Sequence, residues 1–330
     1  MNLNSNYNQI PILNSIRAFA AISVCFYHFI CTTTGFISDT LLLDMFSFGK
    51  YGVQLFFVIS GFVIPWSMYF GGYKLQFLPK FILKRLIRLE PPYLISILLA
   101  IIIISLRKII LKNNDLDFNF NQIALHIGYF IPFFEKYNWI NQVYWTLAIE
   151  FQYYLLIAMF FMLIISENKY YRFISYSILL LSGLIKQSNF LPYWLPVFLL
   201  GILVFQYKIN KINKNDFFTM VLITYAFLFF NHSFGEIIYS AIGVISILFF
   251  GNKNFKIGNF FGEISYSIYL THTIIGASVI NILSHNATNS FEKTIIIVLG
   301  FVITITFSLI IHKWIEKPSK KFSNKLKYGI

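Results

Sequence analysis

Apolar residues along this chain fall into blocks long enough to cross a bilayer, separated by connectors that carry most of the charge. A spanning helix needs about 20 mostly apolar residues, with roughly 17 to 25 tolerated. Ten segments fit, at residues 12–30, 51–70, 93–111, 144–165, 172–187, 190–207, 216–232, 235–250, 260–283 and 294–312. The fifth to eighth are the shortest and most closely spaced. The pattern predicts an all-α polytopic membrane protein with about ten transmembrane helices.

Composition supports lipid as the solvent. Hydrophobic residues make up 57% of the 330 and charged residues 12%, with mean hydropathy +0.68. An ordinary soluble domain carries about twice that charge share, so a water-exposed surface could not be covered. The 39 Phe, 21 Tyr and 5 Trp suit lipid packing and the headgroup boundary. The formal charge of +13 would suit nucleic acid only if it lined a basic groove. Here the Lys and Arg residues sit mainly in short connectors, so no nucleic-acid partner is expected.

Their distribution gives an orientation instead. With the N-terminus inside, 18 of the 26 Lys and Arg residues fall on the inner side and seven outside, with Arg17 within the first segment. The positive-inside rule then sets both the N-terminus and the C-terminus in the cytoplasm. Residues Met1 to Asn14 lack a basic leader and a cleavage site, so the first segment is expected to be retained. Cys25 and Cys31 have neither disulfide nor metal-ligand spacing. The connector from Lys112 to Tyr144 holds an apolar stretch, 126–134, too short to cross; it lies at the interface or dips back in. Residues 1–330 are expected to form one membrane domain with no appended soluble domain.

Ionisable side chains within such segments cost about 2.5 to 3.5 kcal/mol to insert and so mark function by default. Arg17 and His28 are eleven residues apart, about three helical turns, so they share a stripe at depths about 16 Å apart. Ala18, Ala21 and Cys25 keep that stripe small, which suits the wall of a groove between an inner cation and an outer imidazole. The competing reading has Arg17 snorkelling to headgroups and His28 at the boundary. Glu150 lies about five residues into the fourth segment, at the depth expected for His28, where a carboxylate could orient an imidazole or join helices. His272 is a candidate for the same cavity or for an interhelical hydrogen bond, and Ser60, beside Gly61, for a cavity-lining hydroxyl or for close helix packing. Lys80, Lys84 and Arg88 share a helical face with Arg85 adjacent, and this cluster suits either phosphate or anionic lipid. No metal site is indicated.

These motifs closely resemble the acyltransferase 3 family. The resemblance is carried by Leu13-Asn-Ser-Ile-Arg-Ala-Phe-Ala-Ala to Tyr27-His28, by Gly52-Val-Gln-Leu-Phe-Phe-Val-Ile-Ser-Gly-Phe, and by Lys84-Arg-Leu-Ile-Arg. Trp145-Thr-Leu-Ala-Ile-Glu, Ser265-Tyr-Ser-Ile-Tyr-Leu-Thr-His and Glu316-Lys-Pro complete it. The chain departs from the family at Gln54, where an acid is frequent, at Phe151, where a second Glu is common, and at Thr271, where Trp is common.

The resemblance implies an O-acyltransferase of the bacterial cytoplasmic membrane that uses acyl-CoA, commonly acetyl-CoA, as donor. A hydroxyl of a cell-surface or lipid-linked glycan would be the acceptor. Arg85 and Arg88, helped by Lys84, would hold the nucleotide phosphates, and Arg17 would guide the pantetheine arm. His28 would act as general base or carry the acyl group, with Glu150 orienting it; Ser60 and His272 would line the cavity. A transporter of a lipid-linked sugar or acyl carrier, and a noncatalytic partner in glycan assembly, remain as alternatives.

Overall fold

The computed structural model describes residues 10–33, 36–111, 119–285 and 287–328. Residues 1–9 of the leading segment, 112–118 at the start of the long connector and 329–330 at the C-terminus lie outside the described residues. All of the regular structure among the described residues is helical. Seven helices are long and apolar enough to cross a membrane: Ile12–Thr32, Thr40–Phe70, Leu75–Ile109, Gln142–Ile164, Leu191–Lys208, Ser265–Ser284 and Ser290–Lys325.

Chain order explains how these helices are built. Helix α1 (Ile12–Tyr27) continues into a π turn, His28–Thr32. Helix α2 (Thr40–Ser47), capped by Asp39, leads through a tight turn into α3 (Gly52–Phe70). Helix α4 (Leu78–Leu111) is continuous through Pro91 and Pro92, so the basic stretch around Arg85 belongs to the helix itself rather than to a connector. Asn119 caps α5 (Phe120–Ile127), and α6 (Trp145–Ile164) follows.

The three predicted segments that fall short are all helical. Helix α7 (Lys169–Leu181) has 13 residues, α10 (Phe234–Phe249) has 16, and α9 (Lys214–Asn231) opens on polar residues after its Asn213 cap. With α3, they pack around α8 (Leu191–Lys208), whose apolar stretch is 78% buried against protein. Burial of the stretch in Ser290–Lys325 is only 22%, which puts α8 at the centre and the C-terminal helices at the rim. The α3–α8 contact depends on glycine. A Cβ on Gly61 would stand 2.1 Å from the Phe198 carbonyl oxygen, and one on Gly201 would stand 2.1 Å from that of Val58. Small residues at such contacts let the backbones approach closely.

The predicted ninth segment is broken. A short α11 (Lys256–Glu263) packs on α1 and ends at Ile264 before α12 (Ser265–Thr271), a π turn His272–Ala277 and α13 (Ser278–Ser284). Helix α14 (Ser290–Ile311), a third π turn His312–Glu316 and α15 (Lys317–Lys325) close the bundle. Each π turn begins at a histidine, and such turns concentrate at functional sites.

The long connector folds back onto the bundle. Tyr93 donates its hydroxyl to the His126 carbonyl at 3.0 Å, and Tyr129 stacks on Tyr93 and Phe151 at 5.0 and 5.1 Å.

Candidate active site

Seven helices and the His312–Glu316 turn converge on a cavity of about 120 Å³. Helix α1 contributes Arg17, α3 contributes Ser60, and α4 contributes Arg85 and Arg88. Helix α6 supplies Thr146, Glu150 and Tyr154, while α12 supplies Tyr266 and Tyr269. Glu263, Glu316 and Lys320 complete the charged part of the wall.

Glu150 is held by two hydroxyls. Ser60 donates to its Oε1 at 2.8 Å and Tyr154 donates to the same oxygen at 2.6 Å. Arg85 is 5% exposed; its Nη2 donates to the Ser67 hydroxyl at 2.8 Å, and its guanidinium lies over Phe81 and Tyr154. Ser267 donates to Glu316 at 2.7 Å, and His312 lies 3.0 Å from the same carboxylate oxygen.

The wall carries four cations, Arg17, Arg85, Arg88 and Lys320, and three carboxylates, Glu150, Glu263 and Glu316. Among the described residues, none of these four cations forms an ion pair within 4.0 Å. Guanidinium groups left open in this way are ready donors for a phosphate.

Tyr269 belongs to the same wall. Its hydroxyl lies 2.8 Å from that of Thr146, and both reach the Val143 carbonyl, at 3.2 and 3.0 Å. Phe56 packs edge-on against Tyr269 at 5.6 Å. Behind Tyr269, with its ring 5.8 Å away, stands His272, and the His272 ring lies 5.2 Å from that of His28. The two histidines therefore form a pair next to the cavity, with aromatic rings between.

This arrangement brings together Arg17, Ser60, Arg85, Arg88 and Glu150, and it corrects three expectations. Glu150 makes no hydrogen bond to His28, because its carboxylate is turned to Ser60 and Tyr154 within the arginine-lined cavity. His28 and His272 do not line that cavity; the His272 ring lies 5.8 Å from that of Tyr269, which does. Lys84 does not line it either, and packs its ammonium over Tyr328 at 5.4 Å. Successive helical residues turn by about 100°, so a face centred between Arg85 and Arg88 leaves Lys84 about 70° to one side.

Sequence reasoning passed over Tyr154, Tyr266, Tyr269, Glu263 and Lys320. Tyr266 and Tyr269 stand at helical spacing in the same motif as His272, and Lys320 stands four residues after Glu316. These spacings were the available signals.

Comparison with known proteins agrees with the motifs. The family model described as an acyltransferase domain matches residues 10–313. The acyltransferase MdmB of Streptomyces mycarofaciens is 27% identical over 161 residues, which is 47% of this chain and 40% of that protein. ORF330 of Acidianus two-tailed virus, whose name proposes an acetyltransferase, is 25% identical over 299 residues, covering 81% of this chain and 84% of its own. The match thus spans less than half of the first relative's length and most of the second's. No solved structure matches.

Proposed function

The chain belongs to the acyltransferase 3 family, and from that premise we propose that it transfers an acyl group, commonly acetyl, from acyl-CoA to a hydroxyl of a cell-surface or lipid-linked glycan. The observation that carries this reading is the set of cations, Arg17, Arg85, Arg88 and Lys320, that make no ion pair among the described residues and line a cavity whose Tyr269 ring lies 5.8 Å from that of His272. An anionic donor with a narrow reactive arm suits such a path.

In this reading the phosphates of acyl-CoA lie against the arginine end, and the pantetheine arm follows the cavity toward Tyr269. A displacement of the Tyr269 ring admits the thioester to the histidine pair. His28 then takes the proton of the acceptor hydroxyl, a task suited to imidazole. The oxygen attacks the thioester carbonyl carbon, the C–S bond breaks, and the departing sulfur receives the proton from His28. Glu150, held by Ser60 and Tyr154, balances the cations of the wall.

We read α7, α9 and α10 as further spans, giving ten with both termini cytoplasmic. In that topology the arginine end opens to the cytoplasm, where acyl-CoA is made, and the protein is a multi-pass component of a bacterial cytoplasmic membrane. Purified protein in liposomes, given labelled acetyl-CoA and candidate glycans, tests the reading. Label should appear covalently in the glycan and be lost in His28→Ala. Uptake of label without modification would instead favour a transporter.

A further inference from the structure

The last apolar helix runs on past the length a bilayer needs. Helix α14 has 22 residues, about 33 Å, which alone crosses a hydrocarbon layer of about 30 Å. The π turn His312–Glu316 and α15 continue it without a linker to Lys325, so this extension begins at the headgroups. Its chemistry changes at the same point. Lys313, Lys317, Lys320, Lys321, Lys325 and Lys327 follow Ile311, and Glu316 is the one acid among residues 312–330. That carboxylate is already engaged by Ser267 and His312.

Helix α15 sorts its side chains by face. Ser319 and Ser323 are buried, and Ser323 donates to the Lys84 carbonyl at 2.8 Å where α15 packs on α4. Just beyond the helix, Tyr328 packs edge-on against Tyr73 at 5.5 Å. At about 100° per residue, Lys317, Lys321 and Lys325 form a stripe centred about 180° from the two serines and about 12 Å long. All three are exposed. Lys320 falls on one flank and lines the cavity, while Phe322 falls on the other and is 60% exposed. Trp314, ahead of the stripe, is 70% exposed.

Among the described residues, none of Lys313, Lys317, Lys321 and Lys325 forms an ion pair within 4.0 Å. The ammonium groups of Lys313 and Lys325 lie over the neighbouring rings of Trp314 and Phe322, at 5.4 and 5.1 Å. Cations and exposed aromatic rings thus alternate along one extension at the edge of the bilayer.

We propose that the stripe Lys317, Lys321 and Lys325 is a docking surface for the phosphate headgroups of anionic phospholipids in the adjoining leaflet. Charge complementarity and position select this occupant. The stripe holds three positive charges and no acid, and a lysine near an anionic surface gains about a fivefold preference for it, lost beyond about a Debye length. A soluble phosphate has no use for Trp314 and Phe322, whereas beside headgroups such rings rest on the acyl boundary. With Ser323 tied to Lys84 and Lys320 on the cavity wall, lipid on the outer face steadies the helix at the cation end of the cavity. This surface goes beyond the proposed chemistry and does not depend on it.

The test uses the whole protein in nanodiscs of phosphatidylcholine alone or of an equal mixture with phosphatidylglycerol. Hydrogen exchange of residues 313–328 should be at least about threefold slower in the mixture. The difference should fade in about 1 M salt, where the Debye length is about 3 Å. Lys317→Gln, Lys321→Gln and Lys325→Gln together should abolish it. Lys74→Gln, Lys214→Gln and Lys253→Gln together, which remove the same charge from exposed positions elsewhere, should leave it intact. Equal exchange in the two lipids would overturn the proposal, as would a lipid effect that survives the first triple substitution or disappears in the second. Inorganic phosphate added to the phosphatidylcholine discs should protect nothing; protection matching that of phosphatidylglycerol would assign the face to soluble phosphate and refute the lipid. Should the first variant not fold, the wild-type comparison across lipid, salt and phosphate still decides. A protein that transfers no acyl group would give the same exchange result, so the proposed function fails separately.

Discussion

Replacing Glu150 by Gln removes one negative charge from the cavity wall while nearly preserving its shape. Both hydroxyl donors, Ser60 and Tyr154, reach the same carboxylate oxygen, Oε1. The single carbonyl oxygen of glutamine can accept both. The perturbation is therefore close to purely electrostatic. It leaves four cations facing two carboxylates rather than three. A unit charge about 10 to 15 Å from a phosphate, at an effective dielectric constant of about 20, interacts with it by about 1 to 2 kcal/mol. Removing a repulsive carboxylate should thus lower the KM for acyl-CoA by roughly five- to thirtyfold. Since Glu150 makes no hydrogen bond to His28, kcat should stay within about threefold. Initial rates in proteoliposomes across a range of acyl-CoA concentrations give both constants. A hundredfold loss of kcat at constant KM would show that the carboxylate acts on the transition state, and the electrostatic account would be wrong.

Two further outcomes follow from packing and burial. Gly61→Ala forces a methyl group against the Phe198 carbonyl, 2.1 Å from the ideal Cβ, and must separate α3 from α8. A loss of at least about 1 to 3 kcal/mol is expected, visible as a lower Tm in detergent; a wild-type Tm would refute the close contact. Burial holds His126 below the ordinary histidine value of 6.5, and its neutral ring donates to the Gln122 carbonyl at 2.7 Å and accepts the Ile140 N–H at 2.9 Å. As pH falls below 6.5, the opened loop binds a proton that the folded loop refuses, so stability present above that value is lost on acidification. Protection factors of amides in residues 119–144, taken against intrinsic rates at each pH, should be lower at about pH 5 than at about pH 7, and unchanged protection would contradict the linkage.

Much of the architecture was legible because lipid leaves the backbone few choices. Without water to satisfy N–H and C=O groups, apolar runs must become helices, and all ten predicted segments contain helix. Boundaries were less legible. The basic stretch around Arg85 extends α4 at its start, and the break at Ile264 divides the ninth segment, because both ends are set by packing on α15 and α1. Among site residues, Arg17 and Glu150 stood out through the expense of ionisable groups in lipid, Arg85 and Arg88 through their spacing in a basic stretch, and Ser60 through its place beside Gly61. Tyr266 and Tyr269 were missed because aromatic residues are common throughout this chain, so two more carried no contrast.

The sequence by itself determined the apolar character and the helical class, since these depend on composition and on the 3.6-residue period. Partners were decided only by the tertiary structure. Ser60 and Glu150 are 90 residues apart, and Thr146 and Tyr269 are 123 apart. No local rule relates such positions. Helical period fixes which face a side chain occupies, but rotation and depth of one helix against another follow from close contacts such as Gly61 on Phe198. Those contacts turned Glu150 toward Ser60 and brought His272 to His28.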